Sequence, residues 1–183
     1  MLIRIIPMGK PPQKILDIVL EELKLIFNSK TRQLPEIGVP GASYNRWRNQ
    51  YNAERLIEEL ARGPDVKFID RNIPTVLITE IDMYHNSLNF IFGLQDPDLG
   101  CSIVSLSRLR PEFYDHAPNL KVLADRTVKE ATHEIGHHLG LKHCHHFRCI
   151  MSEAASVEDI DKKDKYFCGG CRFELEKKGI RID

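Results

Sequence analysis

The chain has 183 residues, 42% hydrophobic and 28% charged, with 26 Lys and Arg against 26 Asp and Glu. That length suits one domain with a full core. Zero net charge removes the electrostatic reason to expect nucleic acid or an anionic membrane as partner, and no apolar run approaches the ~20 residues of a bilayer span. The opening Met1–Pro7 is too short for a leader and is broken by Arg4, so a cytoplasmic, monomeric chain is expected.

Residues 2–7 suit a buried first strand. Pro11 and Pro12 then open a helix, where proline is tolerated. Ile15, Leu16, Val19, Leu23, Ile26 and Phe27 give that helix an apolar stripe. Residues 31–37 predict a short edge strand limited by Pro35. Residues 38–51 are expected to be a loop, with Trp47 anchoring it on the core rather than touching substrate. Asn52 can cap a helix over 53–62 that Gly63 ends. Residues 66–70 and 74–81 are β-rich. Residues 88–94 and 101–107 read as strands around a turn, and 108–119 as a Pro-containing loop.

Residues 120–139 predict a helix whose apolar stripe runs through Leu120, Ala124, Thr127, Val128, Ala131, Ile135 and Leu139. Two shorter helices are expected over 156–166 and 172–179. Strands alternating with helices, followed by helices alone, predict an α/β upper part over 1–140 and a smaller irregular lower part over 141–183, with metal between them.

The chemistry concentrates at His133-Glu134-x-x-His137-x-x-Gly140-x-x-His143. His133 and His137 are one helical turn apart on one face and can share one zinc. Glu134 is adjacent to the first ligand and sits where a base takes a proton from the attacking water. Gly140 can take positive φ, end the helix and swing His143 round as third ligand. Three protein ligands leave a position open, as catalytic zinc sites do. The bland reading is a His-rich helix end that binds metal incidentally. His145 and His146 could compete, but the register from Gly140 selects His143. Because imidazole ligands must be unprotonated, activity is expected to fall below about pH 6.

Of the five cysteines, Cys144 and Cys149 are spaced C-x4-C, and Cys168 and Cys171 C-x2-C. Four thiolates in two close pairs fit a closed tetrahedral, structural zinc. Buried free thiols, or a redox pair at Cys168 and Cys171, are the plainer readings. Cys101, in a predicted strand, reads as core. Cys144 directly follows His143, so a zinc on the four cysteines would clamp the third imidazole ligand through the backbone. Met151 can fill a gap beneath the histidine cluster. Downstream of the extended motif it reads as a Met-turn. A second oxyanion donor has four possible sources, His85, His116, Tyr114 and Tyr166, each with a plain structural reading as well.

The extended motif, the cysteine that follows it, Cys149, Met151, Cys168 and Cys171 together resemble the archaemetzincin branch of the metzincin zinc peptidases. The match covers about 40 residues from the motif onward. The resemblance implies an α/β (α+β), metzincin-like fold over 1–183: a mixed twisted sheet with helices above an active-site helix, and a small C-terminal subdomain holding four cysteines. It implies two zinc ions per chain, one catalytic and one structural, and Met151 beneath the catalytic one. It also implies a peptide or protein substrate laid along an edge strand, assigned to 88–94, with aminopeptidase-like trimming as one mode. The rival reading is a zinc-stabilised, hydrolytically silent binding module. A retained Glu134 argues against it, since metal binding alone needs no base.

Overall fold

The computed structural model describes residues 1–64 and 69–182. Leu2–Met8 forms β1, and Gln13–Ile26 forms α1 after the two prolines. The predicted stripe on α1 is buried throughout, and Phe27 with it. Each such side chain contributes roughly 1.5–3 kcal/mol of burial. β2 is Lys30–Gln33, and it ends before Pro35.

A five-stranded sheet runs in the order β2-β1-β5-β9-β8, with β5 Thr75–Thr79, β8 Gly93–Asp96 and β9 Cys101–Ser105. All neighbours pair in parallel except β8, which lies antiparallel at the edge. Successive residues face opposite ways. Ile3, Ile5, Val76, Ile78 and Val104 face α1 and the long helix α3, Leu120–His138. Ile6, Met8, Leu77, Cys101 and Ile103 face α2, Ala53–Arg62. Apolar side chains on both faces explain why these strands read as continuous hydrophobic runs.

Four expectations needed correction. The segment 38–51 is not a plain loop: Tyr44–Asn45 (β3) and Gln50–Asn52 (β4) make a hairpin. With β6, Met83–His85, and β7, Leu88–Ile91, it builds a second, four-stranded sheet. Strands of two or three residues carry too little periodicity to be read in sequence. Trp47 does not anchor that segment. It is 94% exposed, at the hairpin tip. The run 88–94 is two strands in two sheets, parted at the buried Phe92. Of the β-rich stretch 66–70, residues 66–68 lie outside the described residues, and 69–70 are not in a strand.

Asn52 caps α2 as expected, its side chain accepting from Arg55 N–H at 3.0 Å. Asn119 does the same for α3, accepting from Lys121 and Val122. From Leu123 to Gly136, α3 is buried at every position but Asp125. Its buried cations, Arg126 and Lys129, are tolerated because they are paired, with Asp161 and Asp125. Arg126 donates two bonds to Asp161, at 2.8 and 2.7 Å, and one to the Leu109 carbonyl at 2.9 Å. Beyond α3 come only α4, Val157–Lys162, and α5, Gly169–Lys177. α4 is shorter than predicted, and α5 starts three residues earlier than expected. The core does not stop at residue 140: Ile150, Met151, Ile160, Phe167 and Leu175 join the cluster formed by α1 and α3. Phe27 and Phe167 meet edge to face at 5.7 Å.

Candidate metal centres at the end of the long helix

α3 ends in a Schellman turn. Gly140 has φ +80°, its N–H bonds the His137 carbonyl at 2.8 Å, and Leu141 N–H bonds the Gly136 carbonyl at 2.9 Å. The chain doubles back and brings His143 to the other two histidines. Ring centroids lie 4.6 Å apart for His133 and His137, 5.3 Å for His133 and His143, and 4.9 Å for His137 and His143. One donor nitrogen from each lies within 4.8 Å of the others. His145 and His146 stay outside this group and are exposed. His146 instead stacks on Phe147.

The tautomers follow from the partners. His133 Nδ1 lies 2.8 Å from the Ile150 carbonyl, and His137 Nδ1 lies 2.9 Å from the Leu141 carbonyl. A carbonyl only accepts, so each Nδ1 carries the hydrogen and each Nε2 is left with a lone pair. These two Nε2 atoms face one another at 3.0 Å. Two lone pairs at that separation repel unless a cation sits between them, so the donor set fits a metal. Burial lowers the His133 pKa to about 3, with Lys163 adding to the effect, and burial also lowers that of His137. Both rings are therefore held neutral, and the acid limit expected near pH 6 moves down for these two ligands.

Glu134 is 5% exposed and lies outside the three-histidine group. Burial, with Glu130 one turn earlier, holds its pKa well above the usual carboxylate range. It is covered by the start of β8. A Cβ at Gly93 would come within 2.5 Å of Glu134 Oε1. Met151 packs so closely on the helix that a Cβ at Gly136 would sit 2.3 Å from its sulfur.

The second group is Cys144, Cys149, Cys168 and Cys171, with all four sulfurs within 4.8 Å. Cys144 and Cys168 are 3.7 Å apart, as are Cys149 and Cys171. A tetrahedron with ~2.3 Å metal–sulfur bonds has edges of about 3.8 Å, so the spacing fits zinc. Backbone N–H groups of Cys168 and His146 point at Cys149 and Cys144 sulfurs, at 3.4 and 3.5 Å. Cys101 stays apart, buried in β9, where burial pushes its thiol up to about 12.

Several partners escaped sequence reading. The strip Cys149–Met151 serves both groups: it supplies a sulfur, the Ile150 carbonyl to His133, and the Met151 carbonyl to Cys144 N–H at 2.8 Å. Gly93 and Lys163 had no local signal. Glu130 could have been found, since it lies one turn from Glu134 on the same helix. The four side chains named as oxyanion donors are engaged elsewhere or exposed. His85 pairs with Glu54 at 2.8 Å, Tyr114 donates to the Arg108 carbonyl, and His116 and Tyr166 are exposed.

The profile of peptidase family M54 matches residues 13–177. The sequence is 38% identical over 176 residues to an archaemetzincin of Methanocaldococcus jannaschii, covering 96% of this chain and 93% of that one. The fold is similar to a zinc-dependent peptidase from Methanocorpusculum labreanum, with TM-score 0.84, 32% identity, and coverage of 94% of this chain and 99% of that one. It is also similar to an archaemetzincin from Archaeoglobus fulgidus, with TM-score 0.76, 33% identity, and coverage of 93% and 98%. The chain belongs to peptidase family M54, the archaemetzincins, and is a zinc metallopeptidase.

Proposed function

We propose that this peptidase cleaves with one catalytic zinc held by His133, His137 and His143, and with Glu134 as its only proton-transfer residue. The observation that carries the reading is the pair of Nε2 lone pairs at 3.0 Å, with both Nδ1 atoms tied to backbone carbonyls. When bound there, zinc supplies a Lewis acid that acidifies a water and polarises the scissile carbonyl. Glu134 accepts the proton of the attacking water and passes it to the leaving amine. Its burial raises its affinity for a proton, which suits a group that takes one up and holds it between those steps. Gly140 turns His143 into reach, and Met151 supports the imidazoles from below.

The substrate would lie extended along the outer edge of β8, adding a strand to the five-stranded sheet with its scissile bond beside Gly93. Gly93's approach to Glu134 supports this strand over β7, so the edge assigned to 88–94 moves to Gly93–Asp96. Cys144, Cys149, Cys168 and Cys171 would hold the second, structural zinc. We read 1–183 as one domain with the substrate cleft between its upper part, to about 140, and its lower part, 141–183. We further take the enzyme to be a cytoplasmic monomer acting on peptides or proteins, without nucleic acid or membrane. No helix among the described residues is long and apolar enough to cross a membrane.

The test is metal analysis together with a peptide-library digest read by mass spectrometry, on the native chain and on Glu134→Gln. Two zinc ions in both proteins, with cleavage only in the native one, is the expected result. A native chain that binds peptides without cutting any would leave the silent binding module standing. The cleavage positions also decide between trimming from the amino end and internal cuts.

A further inference from the structure

The last turn of α3 carries a tie that neither the histidines nor the cysteines account for. Lys178 follows α5 and is 38 positions along the chain from Gly140, yet its ammonium donates to the Leu139 carbonyl at 3.0 Å and to the Gly140 carbonyl at 2.8 Å. The next carbonyl, Leu141, accepts from His137 Nδ1. Three consecutive carbonyls past the helix end are thus engaged, two by one lysine and one by a histidine of the site. The ammonium occupies the space a side chain at 140 would need: a Cβ there would lie 2.3 Å from Lys178 Nζ. Gly140 is therefore required twice, for its φ of +80° and for the room it leaves.

An ammonium at this end also complements the negative pole of the helix dipole. An ammonium, with three donors and no acceptor, can serve two carbonyls at once. The lysine is itself held from behind. It closes α5, whose first turn bears Cys171 and whose cap is Cys168.

We propose that Lys178 is a positioning residue for the catalytic metal. It fixes the turn Leu139–Leu141, and through it the aim of His137, by way of the Leu141 carbonyl, and of His143, two residues further on. This rests on the reading of the three histidines as zinc ligands. It is separate from the clamp that Cys144 applies to its neighbour His143, because it enters the turn from the other side and through hydrogen bonds alone.

The experiment uses the full chain loaded with zinc, and with cobalt in its place for the spectrum. Lys178→Met keeps an unbranched side chain one atom shorter and removes the donors. Lys178→Arg keeps donors and charge. Chelator competition should find the affinity of the histidine site lowered ~10-fold in Lys178→Met, the size of effect typical of groups that orient metal ligands. The cobalt absorption of that site should change, the cysteine site should keep its metal, and Lys178→Arg should recover most of the loss. The proposal is overturned if Lys178→Met binds within about twofold of the native chain with an unchanged spectrum. It is equally overturned if Lys178→Met sheds the cysteine-bound metal as well, or if Lys178→Arg is as impaired as Lys178→Met. His133→Ala is the control. A His133→Ala chain that loses no metal refutes the histidine site itself, whereas a histidine site unaffected by Lys178→Met refutes only the role of the lysine.

Discussion

The sheet half of the molecule and the segment that follows the long helix are ordered by different means. In the sheet half, backbone ladders join five strands, and apolar side chains fill both faces. After α3 there are two helices of six and nine residues and no strand among the described residues. That segment shares the core of α1 and α3 through side chains such as Ile150, Ile160 and Leu175, and adds single directed ties: imidazole to carbonyl, N–H to sulfur, ammonium to carbonyl. The contrast teaches that a change in the sheet half should be local and graded, whereas a change after α3 should travel to the histidines.

The largest expected effect separates chemistry from both regions. Glu134→Gln should lower kcat by about 10³-fold or more, within the range for loss of a proton-transfer group and its assistance to the nucleophile. Zinc content should be close to native, because neither region is disturbed. A variant that keeps even a tenth of the native rate would remove Glu134 from the mechanism.

Glu130 comes next and probes the helix that joins the regions. Burial raises its pKa to about 7, with Lys163 partly opposing the shift, and one of its oxygens has no hydrogen-bond partner. Between its ordinary value near 4.5 and about 7 the folded chain holds a proton that the unfolded chain has released. Stability from this group is therefore complete below pH 4.5 and declines as pH rises to 7. Glu130→Gln should abolish that decline, so its advantage over the native chain in urea unfolding should grow by about 3 kcal/mol between pH 4 and pH 8. A constant difference across that range would mean the carboxyl is not buried as described.

Cys168→Ser sharpens the contrast most directly. It alters only the cysteine group, yet the catalytic zinc should bind ~10-fold more weakly, since His143 is joined to Cys144 and Ile150 to Cys149. Unchanged catalytic occupancy in the folded variant would make the two metal groups independent. The smallest effect belongs to the sheet half. Asn52→Ala removes the cap of α2 and should cost about 1 kcal/mol, measurable in thermal unfolding, with both metals retained.

The same contrast governs what could be read in the sequence. The stripes of α1 and α3 were legible where periodicity runs long, and so was the Asn52 cap of α2. The second sheet was not, because two-residue strands such as Tyr44–Asn45 leave no pattern. The two groups that could hold a metal were legible because coordination would fix both residue type and spacing: His133, His137 and His143 converge, as do the four cysteines. Their supporting partners were not. Ile150 and Leu141 act through carbonyls, which every residue has, and Gly93 acts by lacking a side chain.

The bare backbone at Gly93 has a practical consequence. Strand and carboxylate lie so close there that a single methyl group would collide with the Glu134 oxygen. Gly93→Ala should therefore yield a disarmed enzyme with its full complement of metal. Such a protein could be used as bait, retaining its natural targets uncut long enough for them to be identified.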